Sequence, residues 1–454
     1  MAVVDRCTAR RLLACALLIA SSVAESALTV TPLSTPSGAN AAQPALAADR
    51  DGGFILTWQE KSGDSASLRF AKLDPAGKVQ RSGLIAASAP DQSWFINWAD
   101  FPSLSVLDNG DWVSFWLQKS AASASPYAYD IYLTRSTDQG RQWSARLLNG
   151  DGTASEHGFV SLLPAGGDQV LALWLDGRHS ASPEIAKGEA AADDHAPHAG
   201  AMSLRSALVD RLGRSTQETE IDARTCDCCN TDAVRISDQT MVVYRDRSED
   251  EIRDTRFSVR DPRGHWSAPQ LVHADHWRIA GCPVNGPALA VHGKQVLAVW
   301  STMQGEPLMV RAALGTRKGF GRMIEIESGT ETQGRVDAAA FGNQSFLLSW
   351  LGADASDSGG THTAIKIARL DRHGKLHPAQ TLVSLPAGRN TGFPRMASNG
   401  NTALLVWTEP NAEGSVLQLV RITDANNSAE PGPSSPKYPR SKPDFDRGSD
   451  SGRP

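Results

Sequence analysis

The chain has 454 residues, a formal net charge of -5, 21% charged residues and six cysteines. This weakly acidic balance argues against a protein that binds nucleic acid or an anionic membrane surface, because both functions depend on a large basic face. No stretch beyond the first 24 residues approaches the roughly 20 apolar residues of a membrane-spanning helix, so we expect no transmembrane segment.

The first residues have the layout of a secretory signal peptide. Three arginines precede the apolar run 12–20, and the small residue Ala24 follows it. We therefore predict that residues 1–24 are cleaved off and that the mature protein is periplasmic or secreted. Cys7 and Cys15 leave with this segment, so four cysteines remain in a compartment where disulfides are stable.

Residues 27–423 contain a repeat: a short apolar strand, a turn, and a second strand that ends in an aromatic residue. Spacings of 50 to 70 residues separate these aromatics, which are Trp58, Trp116, Trp174, Tyr244, Trp300, Trp350 and Trp407. Units of this size match the four-stranded blades of a β-propeller. The sequence predicts an all-β propeller of seven blades, or six if one unit folds differently. Residues 27–34 are predicted to supply the outer strand that the last unit lacks.

A tight turn built on Asp and Gly follows the third predicted strand of several units, as in "LDPAGK" and "LDRHGK". The turn "STDQGRQW", residues 136–143, fits the Asp-box pattern Ser-x-Asp-x-Gly-x-x-Trp. Together with the repeat, this turn makes the chain resemble the BNR-repeat, sialidase-like superfamily of β-propellers.

The resemblance implies a glycosidase site with three arginines on the sugar carboxylate, an Asp as acid/base catalyst and a Tyr nucleophile primed by a Glu. The sequence departs from this pattern because no Tyr occupies the late units, where the family has its nucleophile. Tyr127, Tyr129 and Tyr132 flank a strand of the second unit, Tyr244 takes a buried aromatic position, and Tyr438 lies in the tail. We therefore predict that the protein is not a functional sialidase.

Propeller geometry brings two sets of residues to one mouth of the central channel: those before each innermost strand and those after each aromatic strand. Guanidinium groups bind carboxylates with paired hydrogen bonds, so the arginines of these sets are candidate ligand-binding residues: Arg178, Arg245, Arg247, Arg335 and Arg395. A hydrolase for acidic sugars needs a pair of carboxyl groups, for which the candidates are Asp100, Asp176 and Glu251.

Cysteines are concentrated at the start of two neighbouring units. The stretch "TCDCC" contains Cys226, Cys228 and Cys229, and "GCP" contains Cys282 in the same register. We expect the four thiols to meet at one corner of the mouth. They could form disulfide staples, act as a reactive thiol pair, or bind a soft metal ion such as copper or zinc. In the last case His157, Asp227, or Asp275 and His276 could complete the ligand set.

Two further segments are predicted to lie outside the propeller core. Residues 191–200 form an inserted loop whose Asp193, Asp194, His195 and His198 could ligate a metal or could simply be solvated. Residues 424–454 are rich in Pro and Ser and are predicted to be disordered.

The leading hypothesis is an exported, monomeric propeller whose channel mouth binds a small molecule, a glycan or a metal ion. The alternatives are an exo-acting glycoside hydrolase for acidic sugars and a scaffold whose cysteines only join blades.

Overall fold

The structure is a computed structural model that describes residues 27–120, 125, 127–180, 201–354, 356 and 359–425. Seven four-stranded antiparallel sheets are arranged in a ring, which confirms the prediction of a seven-bladed, all-β propeller. The predicted signal peptide, the inserted loop 191–200 and nearly all of the predicted tail lie outside the described residues. No helix within the described ranges is long and apolar enough to cross a membrane.

Each of the first three blades consists of four consecutive strands. Blade 1 contains β2 (Ala41–Ala48), β3 (Phe54–Ser62), β4 (Ser65–Leu73) and β5 (Val79–Ala87). Blade 2 contains β6 (Leu104–Val106), β7 (Trp112–Lys119), β8 (Tyr129–Ser136) and β9 (Ser144–Leu147). Blade 3 contains β10 (His157–Pro164), β11 (Val170–Asp176), β12 (Met202–Val209) and β13 (Ser215–Thr225).

The next three blades follow the same order. Blade 4 contains β14 (Asp232–Ile236), β15 (Gln239–Arg245), β16 (Thr255–Arg260) and β17 (Gln270–Leu271). Blade 5 contains β18 (Ala288–His292), β19 (Gln295–Met303), β20 (Leu308–Thr316) and β21 (Gly319–Gly329). Blade 6 contains β22 (Gly334–Phe341), β23 (Ser345–Ala353), β24 (His362–Asp371) and β25 (Gln380–Pro386).

The last blade combines the two ends of the described chain. It contains β26 (Arg395–Ser398), β27 (Thr402–Asn411), β28 (Gly414–Asp424) and, as its outer strand, β1 (Leu28–Leu33). β1 pairs antiparallel with β28 along its whole length, from Leu28 opposite Asp424 to Leu33 opposite Leu419. The predicted closure of the ring by the N-terminal strand is therefore confirmed. A short 3-10 helix, Arg389–Thr391, precedes β26.

The second strand of each blade is apolar on both sides because neighbouring sheets cover both of its faces. All seven residues of β11 are buried, and one apolar cluster joins Val113 and Phe115 of blade 2 to Val170 and Trp174 of blade 3. This double cover explains why the repeat reads as continuous apolar runs rather than as an alternating pattern.

Most of the repeated aromatic residues also donate a hydrogen bond, from the indole N–H or the phenol O–H, to a carboxylate. It occurs in five blades: Trp58 to Glu60, Trp174 to Asp176, Tyr244 to Asp222, Trp300 to Asp275 and Trp350 to Glu327, at 2.6 to 2.9 Å. These carboxylates satisfy buried N–H and O–H groups, so they are part of the framework.

The Asp-Gly turns join the third and fourth strands, as predicted. In each, the Oδ1 atom of the aspartate accepts two backbone N–H groups; the aspartates are Asp74, Asp210, Asp261 and Asp371. In the 136–143 turn, Asp138 Oδ1 accepts the N–H groups of Arg141 and Gln142, and Gly140 has a φ of 87°.

Strand register places the start of each innermost strand beside the end of the second strand. Ala41 lies opposite Glu60, and His157 lies opposite Asp176. Both predicted sets of polar residues therefore share one mouth of the channel, and the Asp-Gly turns lie on the other face.

Candidate functional site

The four cysteines within the described residues meet at this mouth. Cys226, Cys228 and Cys229 follow the end of β13, and Cys282 lies in the segment that leads from β17 to β18. A carboxylate oxygen of Asp227 and the sulfurs of Cys228 and Cys282 all lie within 4.8 Å of one another. The expected meeting of the two cysteine segments is therefore present, and we call the four residues the thiol cluster.

The sulfurs of the thiol cluster are close but not bonded to one another. Cys226 Sγ is 3.3 Å from Cys229 Sγ and 3.7 Å from Cys228 Sγ, and all four cysteines are free thiols. Cys226 and Cys229 are buried, Cys228 is half-buried and Cys282 is exposed. The cluster thus extends from the protein interior to the surface.

Arginines and carboxylates surround the cluster. Arg253 donates from Nη1 both to Cys226 Sγ at 3.3 Å and to Asp227 Oδ1 at 3.2 Å. Arg247 and Arg253 both hold Glu251, each with a contact of 2.8 Å. The candidate residues Arg247 and Glu251 are therefore paired with each other, and the positive charge of Arg253 faces the sulfurs.

The surroundings give the four thiols different pKa values. Burial raises the pKa of Cys226 to about 11 and that of Cys228 well above its ordinary value. Burial also opposes charge on Cys229, but hydrogen bonds from Cys226 and Cys228, with the charge of Arg245, lower the pKa of Cys229 well below its ordinary value. A hydrogen bond from Cys228 lowers the pKa of Cys282. Negative charge on sulfur is therefore most stable at Cys229 and Cys282.

Arg245 braces the segment beneath the cluster, and none of its hydrogen-bond partners among the described residues is a carboxylate. Its guanidinium donates to the backbone carbonyls of Asn285, Arg253 and Ser301 at 2.7 to 3.1 Å and stacks over Trp277. The side chain is 1% exposed, so all of these bonds are internal. This sequence-predicted ligand-binding residue joins blade 4 to blade 5.

His157 lies in a separate cluster from the thiols. Its Nε2 is 2.9 Å from Asp151 Oδ2, and its Nδ1 is 3.1 Å from the carbonyl oxygen of Ser155. Burial favours the neutral ring, but Asp151 and Asp176 outweigh it and raise the pKa of His157. Both ring nitrogens have internal partners, so the structure groups this predicted metal ligand with carboxylates rather than with sulfur.

Asp176 and Arg178, two further candidates, bind each other. The Arg178 guanidinium donates to both carboxylate oxygens of Asp176 at 2.7 and 2.8 Å, and Trp174 donates to the same carboxylate. Arg178 also contacts Asp151 and Glu218. The pair forms a closed ion network beside His157.

The two remaining candidate arginines lie across the mouth. Arg335 donates to Thr391 Oγ1 and to the carbonyl of Gly392, stacks over Trp98 at 4.5 Å, and has no carboxylate partner among the described residues. Burial lowers the pKa of Arg335 to about 10. Arg395 Nε lies 3.3 Å from Asp337 Oδ2.

Arg335 also lines a cavity of about 540 Å³ at this mouth, together with Trp98, Trp277 and Arg389. A volume of this size suits a small-molecule ligand.

Three aspartates connect inner strands of successive blades. Asp100, Asp232 and Asp337 accept backbone N–H groups of the next blade, from Phe159, Leu289 and Met396 respectively, at 2.7 to 2.9 Å. Asp232 and Asp337 were not among the residues predicted from the sequence. A usable signal was present, because each of the three lies at or just before the innermost strand of an even-numbered unit.

Asp100 also belongs to a group that was not predicted. Tyr129 Oη lies 3.2 Å from Asp100 Oδ2 and 2.8 Å from Glu156 Oε1. Burial raises the pKa of Asp100 to about 7 and that of Glu156 well above its ordinary value, and the nearby charges of Asp227 and Cys282 raise the Glu156 pKa further. One phenol hydrogen cannot serve two carboxylates, so the group favours a protonated carboxyl. We call Asp100, Tyr129 and Glu156 the acid triad.

Comparison with known proteins found similar structures but no related sequence. No protein-family profile and no curated protein matches the sequence. Solved structures with a similar architecture include the polysaccharide lyase Uly1, at 9% identity and a TM-score of 0.48, with 85% of this chain and 90% of that chain covered.

Two sialidases are also similar in structure. For Trypanosoma rangeli sialidase the identity is 10% and the TM-score 0.45, with 77% of this chain and 57% of that chain covered. For a variant of NanB sialidase from Streptococcus pneumoniae the values are 8% and 0.46, with 82% and 84% covered. Similarity at this level does not determine function.

Proposed function

We propose that the protein is an exported propeller that binds a soft metal ion, copper or zinc, through the thiol cluster at the channel mouth. The observation that carries the proposal is the sulfur spacing of 3.3 and 3.7 Å around Cys226. Metal–sulfur bonds of about 2.3 Å in a tetrahedral site place neighbouring sulfurs about 3.8 Å apart. The free thiols need little movement to reach that spacing.

The surroundings of the cluster favour a bound cation. Arg253 and the Asn285 N–H donate to sulfur at 3.3 and 3.4 Å, and such bonds stabilise thiolates. Several thiolates on one short loop are a ligand set that soft ions prefer. Because the thiols must lose protons to bind, affinity falls at acidic pH.

Metal analysis combined with thiol counting tests the proposal. Mature protein purified without air from its native compartment is expected to hold copper or zinc at about one ion per chain. The thiols should react fully only after the metal is removed with a chelator. If the protein holds no metal and all four cysteines are oxidised, the proposal is wrong and the cysteines only join blades through disulfides.

A matched pair of variants makes the assignment specific. Cys226→Ser removes the central sulfur and is expected to abolish metal retention. Leu212→Ser changes a side chain that is 65% exposed on the opposite face and should retain the metal. Equal metal content in the two variants would contradict the assignment.

The acid triad favours a second candidate function, hydrolysis of glycosides of acidic sugars. A carboxyl group with a pKa of about 7 is suited to general acid catalysis near neutral pH, and Asp100 has this property. The two other carboxylates predicted for catalysis, Asp176 and Glu251, are held by arginines. Catalysis would therefore depend on Asp100 and Glu156.

A fluorogenic sialoside tests this candidate. Turnover by the wild-type protein that is lost in Asp100→Asn would place hydrolysis ahead of metal binding. Absence of turnover at pH 5 to 8, in protein shown to be folded, would exclude sialidase activity.

A further inference from the structure

The thiol cluster consists of two overlapping groups of donor atoms. Cys226, Cys228 and Cys229 form one group with all sulfurs within 4.8 Å, and Asp227, Cys228 and Cys282 form the other. Only Cys228 belongs to both sulfur sets. Because Cys282 is not within that distance of every sulfur of the first group, a single ion fits three sulfurs better than four.

The harder donors near the first group are already engaged. Arg253 and Arg247 lie 3.2 and 3.8 Å from the two carboxylate oxygens of Asp227. Both arginines also hold Glu251, and His157 lies with Asp151. Oxygen and imidazole ligands are therefore withdrawn from the cluster, and the donor set that remains is entirely sulfur. Such a set selects the softest available ions.

Burial decides the coordination number. Cys226 and Cys229 are each 1% exposed, so an ion between them has little access to a water molecule as a fourth ligand. Structural zinc is almost always four-coordinate, whereas Cu(I) is the soft ion that three thiolates satisfy.

We propose that the buried group of Cys226, Cys228 and Cys229 binds one Cu(I) ion and that the exposed Cys282 captures the incoming ion and passes it inward through Cys228. The inference rests on the proposed function and adds to it the identity of the ion and the route by which it reaches the site.

The transfer is a sequence of ligand exchanges without electron transfer. Cu(I) first bonds to the Cys282 and Cys228 sulfurs; the bonds to Cys226 and Cys229 then form, and the bond to Cys282 breaks. Each thiol that binds releases its proton to water, and Cys282 regains one when the ion leaves it.

The arginines around the buried position reduce its negative charge. Three thiolates and one Cu(I) carry a net charge of -2, to which Arg245, Arg247 and Arg253 add +3 and Asp227 and Glu251 add -2, leaving -1 at this corner of the mouth. Arg253 contacts the Cys226 sulfur directly, and Arg245 holds the carbonyl of Asn285, whose backbone N–H donates to Cys229 Sγ.

Loading kinetics and metal competition test the proposal. Reduced protein without metal is mixed, without air, with Cu(I) held by a chelator whose colour changes on copper release. The wild-type protein is expected to take up one ion per chain and to keep it against a hundredfold excess of Zn(II). Cys282→Ser should load at least tenfold more slowly and still end with one ion, and Cys226→Ser should retain none.

X-ray absorption on the loaded wild-type protein gives a result that does not depend on any variant. Three sulfur neighbours are expected around copper. Four sulfur neighbours, or displacement of copper by zinc, would overturn the buried Cu(I) site while leaving metal binding intact. Loading of Cys282→Ser at the wild-type rate would overturn the capture role, and a wild-type protein that takes up neither ion would refute the proposed function as well.

Discussion

The backbone N–H of Asn285 donates to Cys229 Sγ at 3.4 Å, and the Oδ1 atom of the same Asn285 accepts the backbone N–H of Arg335 at 2.7 Å. One residue therefore joins the thiol cluster to the cavity on the other side of the mouth. The carbonyl of Asn285 is held by Arg245. Loss of any of these contacts should change the surroundings of the Cys229 sulfur.

Arg245 should be the most sensitive of the arginines at the mouth. Arg245→Met leaves the buried carbonyls of Asn285, Arg253 and Ser301 without donors, so we expect the free energy of unfolding to fall by about 3 kcal/mol or more. Urea denaturation measures this change. Arg235→Met is the control, because its ion pair with Asp108 is exposed on both sides and should contribute less than about 1 kcal/mol. Equal losses in both variants would argue against the bracing role.

Asp100 should make stability depend on pH. Its folded pKa of about 7 lies above the ordinary 3.8, so the fold favours the protonated carboxyl, and this contribution is present below pH 3.8 and lost as pH rises to 7. Asp100→Asn mimics the protonated group, so its stability relative to wild type should increase across this window, by about 4 kcal/mol at most. Urea denaturation between pH 4 and 8 measures the difference.

Asp371→Asn is a control for general effects of pH, because the trend of its stability with pH should be opposite to that of Asp100→Asn. Burial opposes the charge of Asp371, but backbone N–H groups of its turn outweigh it and lower the Asp371 pKa. The contribution of Asp371 is therefore present above pH 3.8 and lost as pH falls through its folded pKa. The advantage of wild type over Asp371→Asn should shrink at acidic pH. The same trend in both variants would contradict the assignment for Asp100.

A side chain at Gly140 should destabilise the fold. Its φ is 87°, and a Cβ atom there would lie 2.8 Å from Phe70 and 2.9 Å from Trp112. Gly110 has a similar φ of 91° with nothing within 4 Å, so Gly110→Ala isolates the backbone term. We expect Gly140→Ala to be less stable than Gly110→Ala by about 1 to 3 kcal/mol in thermal or urea unfolding. Similar losses would show that the aromatic side chains move aside without strain.

The closing strand offers a matched pair of positions on its two faces. Val30 packs against the core of the last blade, and its neighbour Thr29 is exposed. Val30→Asp should lower the free energy of unfolding by about 2 kcal/mol or more, whereas Thr29→Asp should change it by less than about 0.5 kcal/mol. Limited proteolysis should cut the Val30 variant faster. Equal protection would indicate that β1 adds little to the closure of the ring.

The fold could be predicted because its signal is spread over the whole chain. Trp58, Trp300 and Trp407 are among the aromatic residues that mark units of 50 to 70 residues, and the Asp-Gly turns mark a hairpin within several of these units. The meeting of the Cys226 and Cys282 segments followed from the same register, since the starts of innermost strands share one face.

The pairing of side chains at the mouth could not be predicted from this register. Arg245 was expected to face a ligand, but it bonds to backbone carbonyls, whose positions depend on how two loops pack. The contact of Tyr129 with Glu156 joins the third strand of one blade to the loop before the next. The sequence pattern did not single out Glu156, and it does not specify the direction of any side chain.

The pairing of β1 with β28 has a consequence for how the protein acquires its native state. Leu28 and Asp424 meet in the same sheet, so the ring stays open until nearly all of the described chain has left the ribosome. Copies that lack either end would have an unpaired strand edge in the last blade, and such an edge invites association with another chain. Truncation at either end should therefore first increase aggregation, before any loss at the distant channel mouth.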